Sequence, residues 1–411
     1  MRIKNQSISQ GEKLWTVGFV LICLIAIIQR TSTQMQNTAL PLYIQALGFT
    51  KAAAGNANAV YSAASLILRP FMGMVVDRWG GKRVLIFGTV LLALTVLGYG
   101  LAASLGGIVL LRALGGVAFS ATTVAVSTVS VQNIAESRMT EGIGYFGLSS
   151  AFAQSVGPVF ALALISDNDA YWMCFVVTAL LLGVATLMTF FVKEHKEPVR
   201  QSAPAREQTA ELRQPKQSVW IKLVEPTAVL PSVLSFCVFF SSSAVGTFIS
   251  TYTKEAAIAG VATFFVVKAL TIALSRVVIN PIYRFLGNEK GLLLAFAVYA
   301  ANFCLIFGAK GQLTLWTAGA LFGFGYGLLQ TLLNAAAVIN TPKSRRGAAN
   351  ATYYIAMDLG LGAGAACWGY VADWFGTRSI YLGAALVQAA AVVLFFVFKK
   401  VYGQFMEKIE K

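Results

Sequence analysis

Apolar runs of about twenty residues follow one another along almost the whole of this chain. Twelve of them lie at roughly 14–41, 53–76, 83–103, 106–131, 140–165, 171–192, 226–252, 258–282, 290–309, 313–338, 348–371 and 379–399. A run of this length, coiled as a helix rising about 1.5 Å per residue, crosses a hydrocarbon layer of about 30 Å. A helix also satisfies its own backbone groups where no water is present. The chain is therefore predicted to be an all-α membrane protein with 12 transmembrane helices. Only 12% of its 411 residues are charged, against about a quarter in a soluble domain, and its mean hydropathy is +0.69.

The connections carry the charge. In a soluble protein a net charge of +15 would point to nucleic acid. Here most of the Lys and Arg residues fall in the termini and the even-numbered connections. Only Lys51, Lys254, Lys310 and Arg378 fall in the odd-numbered ones. The positive-inside rule then predicts that both termini and the long central connection face the cytoplasm. The polar segment 1–13 lacks a short apolar region with a small-residue cleavage site, so the first span is read as retained. Proline and charge make 193–225 a linker, with a short amphipathic helix expected at 219–224; His195, within it, is read as solvated. Residues 1–192 and 226–411 become two six-helix bundles. The five cysteines show no pairing or ligand spacing and read as small packing residues.

The short turn between spans 2 and 3 is unusually charged. In GMVVDRWGGKRVL it packs Asp77, Arg78, Lys82 and Arg83 between glycines at positions 73 and 80. Charge this dense marks a membrane surface. The pattern G-x3-D-R-x-G-x-K-R resembles the loop signature of the major facilitator superfamily of transporters. The chain also looks duplicated. The stretch from Arg69 aligns with the stretch from Arg276 at a separation of 207 positions, placing Gly80 on Gly287 and Asp77 on Arg284. A second match, at 205 positions, places Gly157 on Gly362. Carriers built from such repeats bind their solute near the midplane, at the repeat interface.

Charges inside spans each need a reason. In span 1, Arg30, Gln34, Asn37 and Pro41 recur on one helical face, a stripe expected to line a water-filled cavity. The other reading is that the helix stops near Ile28 and the stripe is loop. Asp358, with Tyr354 on its face, is the one acid inside a predicted span. A carboxyl held out of water suits a proton carrier, but permanent pairing with a base is the alternative. Lys268 is central in span 8 and is expected in the cavity. Arg69 and Arg276, nearer the cytoplasmic end, are read as gate residues with Asp77, Arg78, Lys82 and Arg83. Gln330 and Asn334 in span 10, and Ser241, Ser242, Ser243 and Thr247 in span 7, are further candidate cavity residues.

Two more motifs extend the resemblance. Arg112 opens RALGGVAF, similar to the family's helix-4 motif, with Gly115 where a glutamine is usual. The resemblance ties Arg112 to proton coupling; a purely structural arginine is the other reading. Gly144, Ala153, Gly157 and Pro158 partly match the helix-5 pattern of drug/proton antiporters, which implies close packing of helices 5 and 8. Together these resemble the bacterial drug/proton antiporter branch, which includes exporters of opine-type metallophores. That resemblance implies a proton-driven, alternating-access antiporter in the bacterial cytoplasmic membrane. The basic cavity residues Arg30, Arg112 and Lys268 favour an anionic or zwitterionic solute, such as an organic acid or metallophore. The alternatives are a polyspecific drug exporter and a proton-coupled importer of organic anions. No Walker loop, metal cluster or nucleophile triad is present in the sequence, so no enzyme activity, cofactor or metal is expected. The expected partners are a small solute, protons and the lipid bilayer, not nucleic acid, and the chain is expected to act as a monomer.

Overall fold

The computed structural model describes residues 14–102, 104–134, 138–165, 170–192, 225–339, 341 and 345–409. The expected linker helix at 219–224 and His195 lie outside them. Among the described residues the chain is helical throughout, with no strand. The first half contains α1 (Val17–Ala46), α2 (Lys51–Trp79), α3 (Gly81–Leu101), α4 (Leu105–Gln132), α5 (Met139–Ile165) and α6 (Tyr171–Phe191). After a 3-10 turn at Pro226–Ala228 comes α7 (Val229–Glu255). The helical stretch Val261–Phe307 is broken by non-helical backbone at Gly287 into α8 (261–286) and α9 (288–307). Then follow α10 (Gln312–Ile339), α11 (Arg346–Phe375) and α12 (Ser379–Ile409). Among the described residues eleven helices are individually long and apolar enough to cross a membrane, and α5, 27 residues long, is the twelfth helix of the fold.

Hydroxyl side chains set several helix starts. Thr16, Thr50 and Ser104 cap α1, α2 and α4 by accepting from Phe19, Ala53 and Gly107 backbone N–H groups at 3.1–3.2 Å. The α1 helix runs unbroken to Ala46 with Pro41 inside it, so the reading that it stops near Ile28 is overturned. The duplication is visible in the backbone. Gly80, between α2 and α3, has φ +89°, and its counterpart Gly287, between α8 and α9, has φ +76°. Only glycine takes that conformation without strain, which is why both copies carry one.

Each six-helix set buries its own apolar core. In the first half one cluster gathers around Met35, Leu92, Tyr99 and Phe175, and another around Phe19, Ile25, Leu85 and Val129. The second half has a single cluster, rich in aromatics: Phe239, Phe264, Tyr299, Phe322, Tyr326 and Tyr381. The halves meet where α2 packs on α11, α5 on the α8–α9 segment, and α1 on α7. Glycine permits the closest of these approaches. A Cβ on Gly55 would strike the Ala365 carbonyl oxygen, and one on Gly369 would lie 2.8 Å from the Lys51 carbonyl oxygen.

The expected packing of α5 on the α8–α9 segment is present, but Gly157 does not make it. A Cβ on Gly157 would lie 2.6 Å from Gln34 Cβ and 2.7 Å from the Thr31 carbonyl oxygen, so this glycine closes α5 onto α1, within the first half. Among the described side chains of α5, Val159 and Leu162 pack against the core of the second half. Pro158 is buried in α5, and Gly144 falls within the same helix.

Candidate functional site

The polar stripe of α1 faces the other helices of its half and the seam between halves. Asn37 donates to Gln34 Oε1 at 3.2 Å and accepts from Arg112 Nη2 at 3.2 Å. Arg112, on α4, is fully buried, and no carboxylate meets it among the described residues. Its guanidinium lies 4.6 Å from the Tyr61 ring centroid, and the same Nη2 also donates to Asn58 Oδ1 on α2. Asn58 in turn donates to Thr247 Oγ1 of α7 at 3.2 Å, across the seam. Nε and Nη1 of Arg112 have no acceptor in hydrogen-bond geometry among the described residues, and the Tyr99 hydroxyl lies within electrostatic reach of the guanidinium.

Deeper along the seam, Arg69 of α2 meets Asp358 of α11, Nη1 to Oδ2, at 2.6 Å. Arg30, half-buried on α1, stands within electrostatic reach of Tyr354, Arg69, Asp358 and Tyr61. Among the described residues it makes no hydrogen bond or ion pair. Tyr354 is 40% exposed, one turn from Asp358 on the same helix. Two guanidinium groups and one carboxylate thus face each other between the halves, leaving one positive charge unmatched.

The remaining candidates divide. Lys268 is buried in α8, with its Nζ 4.8 Å from the Phe322 ring centroid and 5.4 Å from that of Phe265. It has no carboxylate or hydrogen-bond acceptor among the described residues, and aromatic faces take that place. Arg276 does not reach across the seam as Arg69 does. It donates to Gln330 Oε1 at 3.0 Å and to Thr331 Oγ1, both on α10 of its own half, which occupies Gln330 as well. Asn334 is half-buried on α10. Ser241 is a correction to the expected cavity lining. It is fully buried against α12, bonded to the Ala384 carbonyl and to Gln388.

The two ends of the bundle differ. At the end holding the α2 N-terminus, Lys51 pairs with Glu255 at 2.6 Å. Asp373 of α11 accepts from the backbone N–H groups of Lys51 and Ala52 at 3.0 and 2.9 Å, capping α2 from the opposite half. Gln45 to Thr251 and Asn56 to Tyr370 add bonds across the seam at 2.9 and 3.0 Å. At the other end, Asp77, Arg78 and Arg83 are exposed and without a hydrogen bond or ion pair among the described residues. Lys82 donates to the carbonyl oxygens of Phe190 and Val192 at 2.7 and 2.9 Å, capping the C-terminus of α6.

Sequence reasoning missed Asn58, Asp373 and the Lys51–Glu255 pair. Asn58 had a signal, being an amide inside an apolar span. Asp373 and Glu255 sit in last turns and read as ordinary surface charge.

The family model described as Major Facilitator Superfamily matches residues 22–360 and 232–404. A staphylopine export protein of Staphylococcus aureus (strain Mu50 / ATCC 700699) is 20% identical over 397 residues, spanning 95% of this chain and 98% of that one. An uncharacterized MFS-type transporter of Burkholderia mallei (strain SAVP1) is 24% identical over 388 residues, spanning 92% and 89%. Among solved structures, a bacterial homolog of the human lysosomal transporter Spinster, inward-facing and unoccupied, superposes with a TM-score of 0.74 at 14% identity, covering 96% of this chain and 99% of that one. The nucleoside transporter NupG superposes with a TM-score of 0.68 at 14% identity, covering 94% and 99%. These structures share the fold.

Proposed function

We propose, from the premise that this chain belongs to the major facilitator superfamily, that it is a proton-coupled antiporter exporting a small anionic or zwitterionic solute. The observation that carries this reading is Arg30. A half-buried guanidinium between the two halves, without a hydrogen bond or ion pair among the described residues and sharing the single Asp358 carboxylate with Arg69, is poised for a ligand that brings a second. An organic acid or a carboxylate-bearing metallophore has that chemistry. The staphylopine export protein, similar over nearly the full length, supports a solute of this kind and the outward direction.

The proton is assigned to Asp358, which holds Arg69 when ionised. Obligatory exchange then requires that the proton and the solute occupy the site in turn and never together. Under the positive-inside orientation the clasped end of the bundle faces outward, both termini are cytoplasmic and the Asp77 turn faces the cytoplasm. Asp77, Arg78 and Arg83 would then engage in the opposite, outward-open state. The chain works as a monomer in the bacterial cytoplasmic membrane.

A second reading has an observation of its own. Lys268 rests on aromatic rings, and Arg276 is held by Gln330 and Thr331, so these charges are already accommodated. With Arg30 accommodated as well, the chain would be a polyspecific drug exporter. Uptake into inverted membrane vesicles under an imposed pH gradient separates the two: anionic solutes accumulate in the first case, lipophilic cations in the second.

A further inference from the structure

We infer that Asn58 is a positioning residue that ties the buried Arg112 guanidinium to closure of the seam at the clasped end. An amide accepts through one atom and donates through the other, and here each end has a fixed partner. Oδ1 of Asn58 accepts from Arg112 Nη2, which turns Nδ2 towards Thr247 Oγ1 at 3.2 Å. Arg112 belongs to the first half and Thr247 to the second, so orientation of the guanidinium on one side orders a bond to the other. Neither end of the link is buffered by a charge. Arg112 has no carboxylate among the described residues, and Asn37, the other acceptor on Nη2, is already bonded to Gln34. Asn58 and Tyr61 lie one turn apart on α2, so that turn holds the guanidinium both by its edge and by its face.

Thr247 is one turn from Thr251, which bonds Gln45 of α1, so the link joins an existing row of contacts across the seam. Arg112, in a buried site, also keeps Nε and Nη1 without acceptors in hydrogen-bond geometry among the described residues. Any anion or water that draws the guanidinium towards itself pulls Nη2 off Asn58, frees the amide and removes a bond from the seam. Occupancy inside the first half is thereby converted into opening at the clasped end. This link does not depend on which solute the protein carries.

The test is a distance measurement on the full-length chain in lipid nanodiscs, with no solute added. The five native cysteines are replaced by alanine, and spin labels are placed at Ala46→Cys and Ala256→Cys, exposed positions at the clasped end of each half. Pulsed dipolar spectroscopy then reads the ratio of separated to clasped populations. Thr247→Val should raise that ratio about two- to tenfold, the worth of one hydrogen bond, and Thr247→Ser should restore it. Arg112→Gln should raise it similarly when Thr247 is present, and add nothing in the Thr247→Val background. An unchanged ratio in Thr247→Val, failure of Arg112→Gln to raise it, or full additivity of the two changes would each overturn the inference. The valine and serine pair keeps the test decisive if Arg112→Gln does not fold.

Discussion

Arg69 and Asp358 join the two halves of the chain through a 2.6 Å ion pair, with Arg30 standing beside them as an unmatched third charge. The pair lies deep in the bundle, some eighteen residues along α2 from the clasp at Lys51, a rise of about 27 Å. That separation puts the ion pair nearer the end of α2 opposite the clasp.

If Asp358 carries the proton, Asp358→Asn abolishes transport against a gradient but keeps downhill exchange. The measurement is solute movement in vesicles with and without an imposed pH gradient. A mutant that still concentrates solute places the proton elsewhere.

Arg30→Ala is expected to weaken binding of the anionic solute by about 1.5–3 kcal/mol, the range for hydrogen bonds to a charged group. Titration calorimetry on purified protein reads this directly. Unchanged anion affinity removes Arg30 from the site.

Lys268 gives a different expectation. A buried ammonium resting on two rings, with no acceptor among the described residues, costs stability, so Lys268→Met should raise the melting temperature while lowering transport. A lower melting temperature with normal transport would mark Lys268 as a packing residue.

Asp373→Ala removes the cap on α2 from the opposite half, a contact worth about 0.5–2 kcal/mol. The clasped state should lose population. A cysteine at Ser62, which lies against Gly362 of the other half, should then react faster with a membrane-impermeant thiol reagent added outside. Equal rates would show that the clasp does not depend on the cap.

Asp77→Asn should impair transport with expression intact, and Arg284→Ala, at the duplicated position, should be milder. Asp77 is exposed and makes no hydrogen bond or ion pair among the described residues, so an effect on transport identifies a state in which the turn is engaged. Equal transport by Asp77→Asn and the unaltered protein removes the gate role.

The parts of this molecule that were legible in the sequence are those fixed by local physics. Twelve apolar runs dictate helices, and the positive φ of Gly80 and Gly287 writes glycine into both copies of the repeat. What a residue touches was far less legible. Gly157 announces a close helix contact, but a missing side chain does not say which helix arrives, and it proved to be α1. Ser241 and Thr247 sit under two turns apart on α7, yet one turns to Gln388 within its half and the other to Asn58 across the seam. Asn58 lies in the small-residue stretch KAAAGNANAV, where its role appears only when α4 and α7 are brought against it.

The central claim is an anion exchanged for a proton at Arg30, Arg69 and Asp358. The most direct test is uptake into inverted vesicles, under an imposed pH gradient, of a panel of small di- and tricarboxylates and amino-carboxylates, with ethidium measured in parallel. The account predicts gradient-dependent accumulation of at least one anion, lost in Arg30→Ala, and no accumulation of ethidium. Accumulation of ethidium without any anion would contradict it and establish the drug exporter instead.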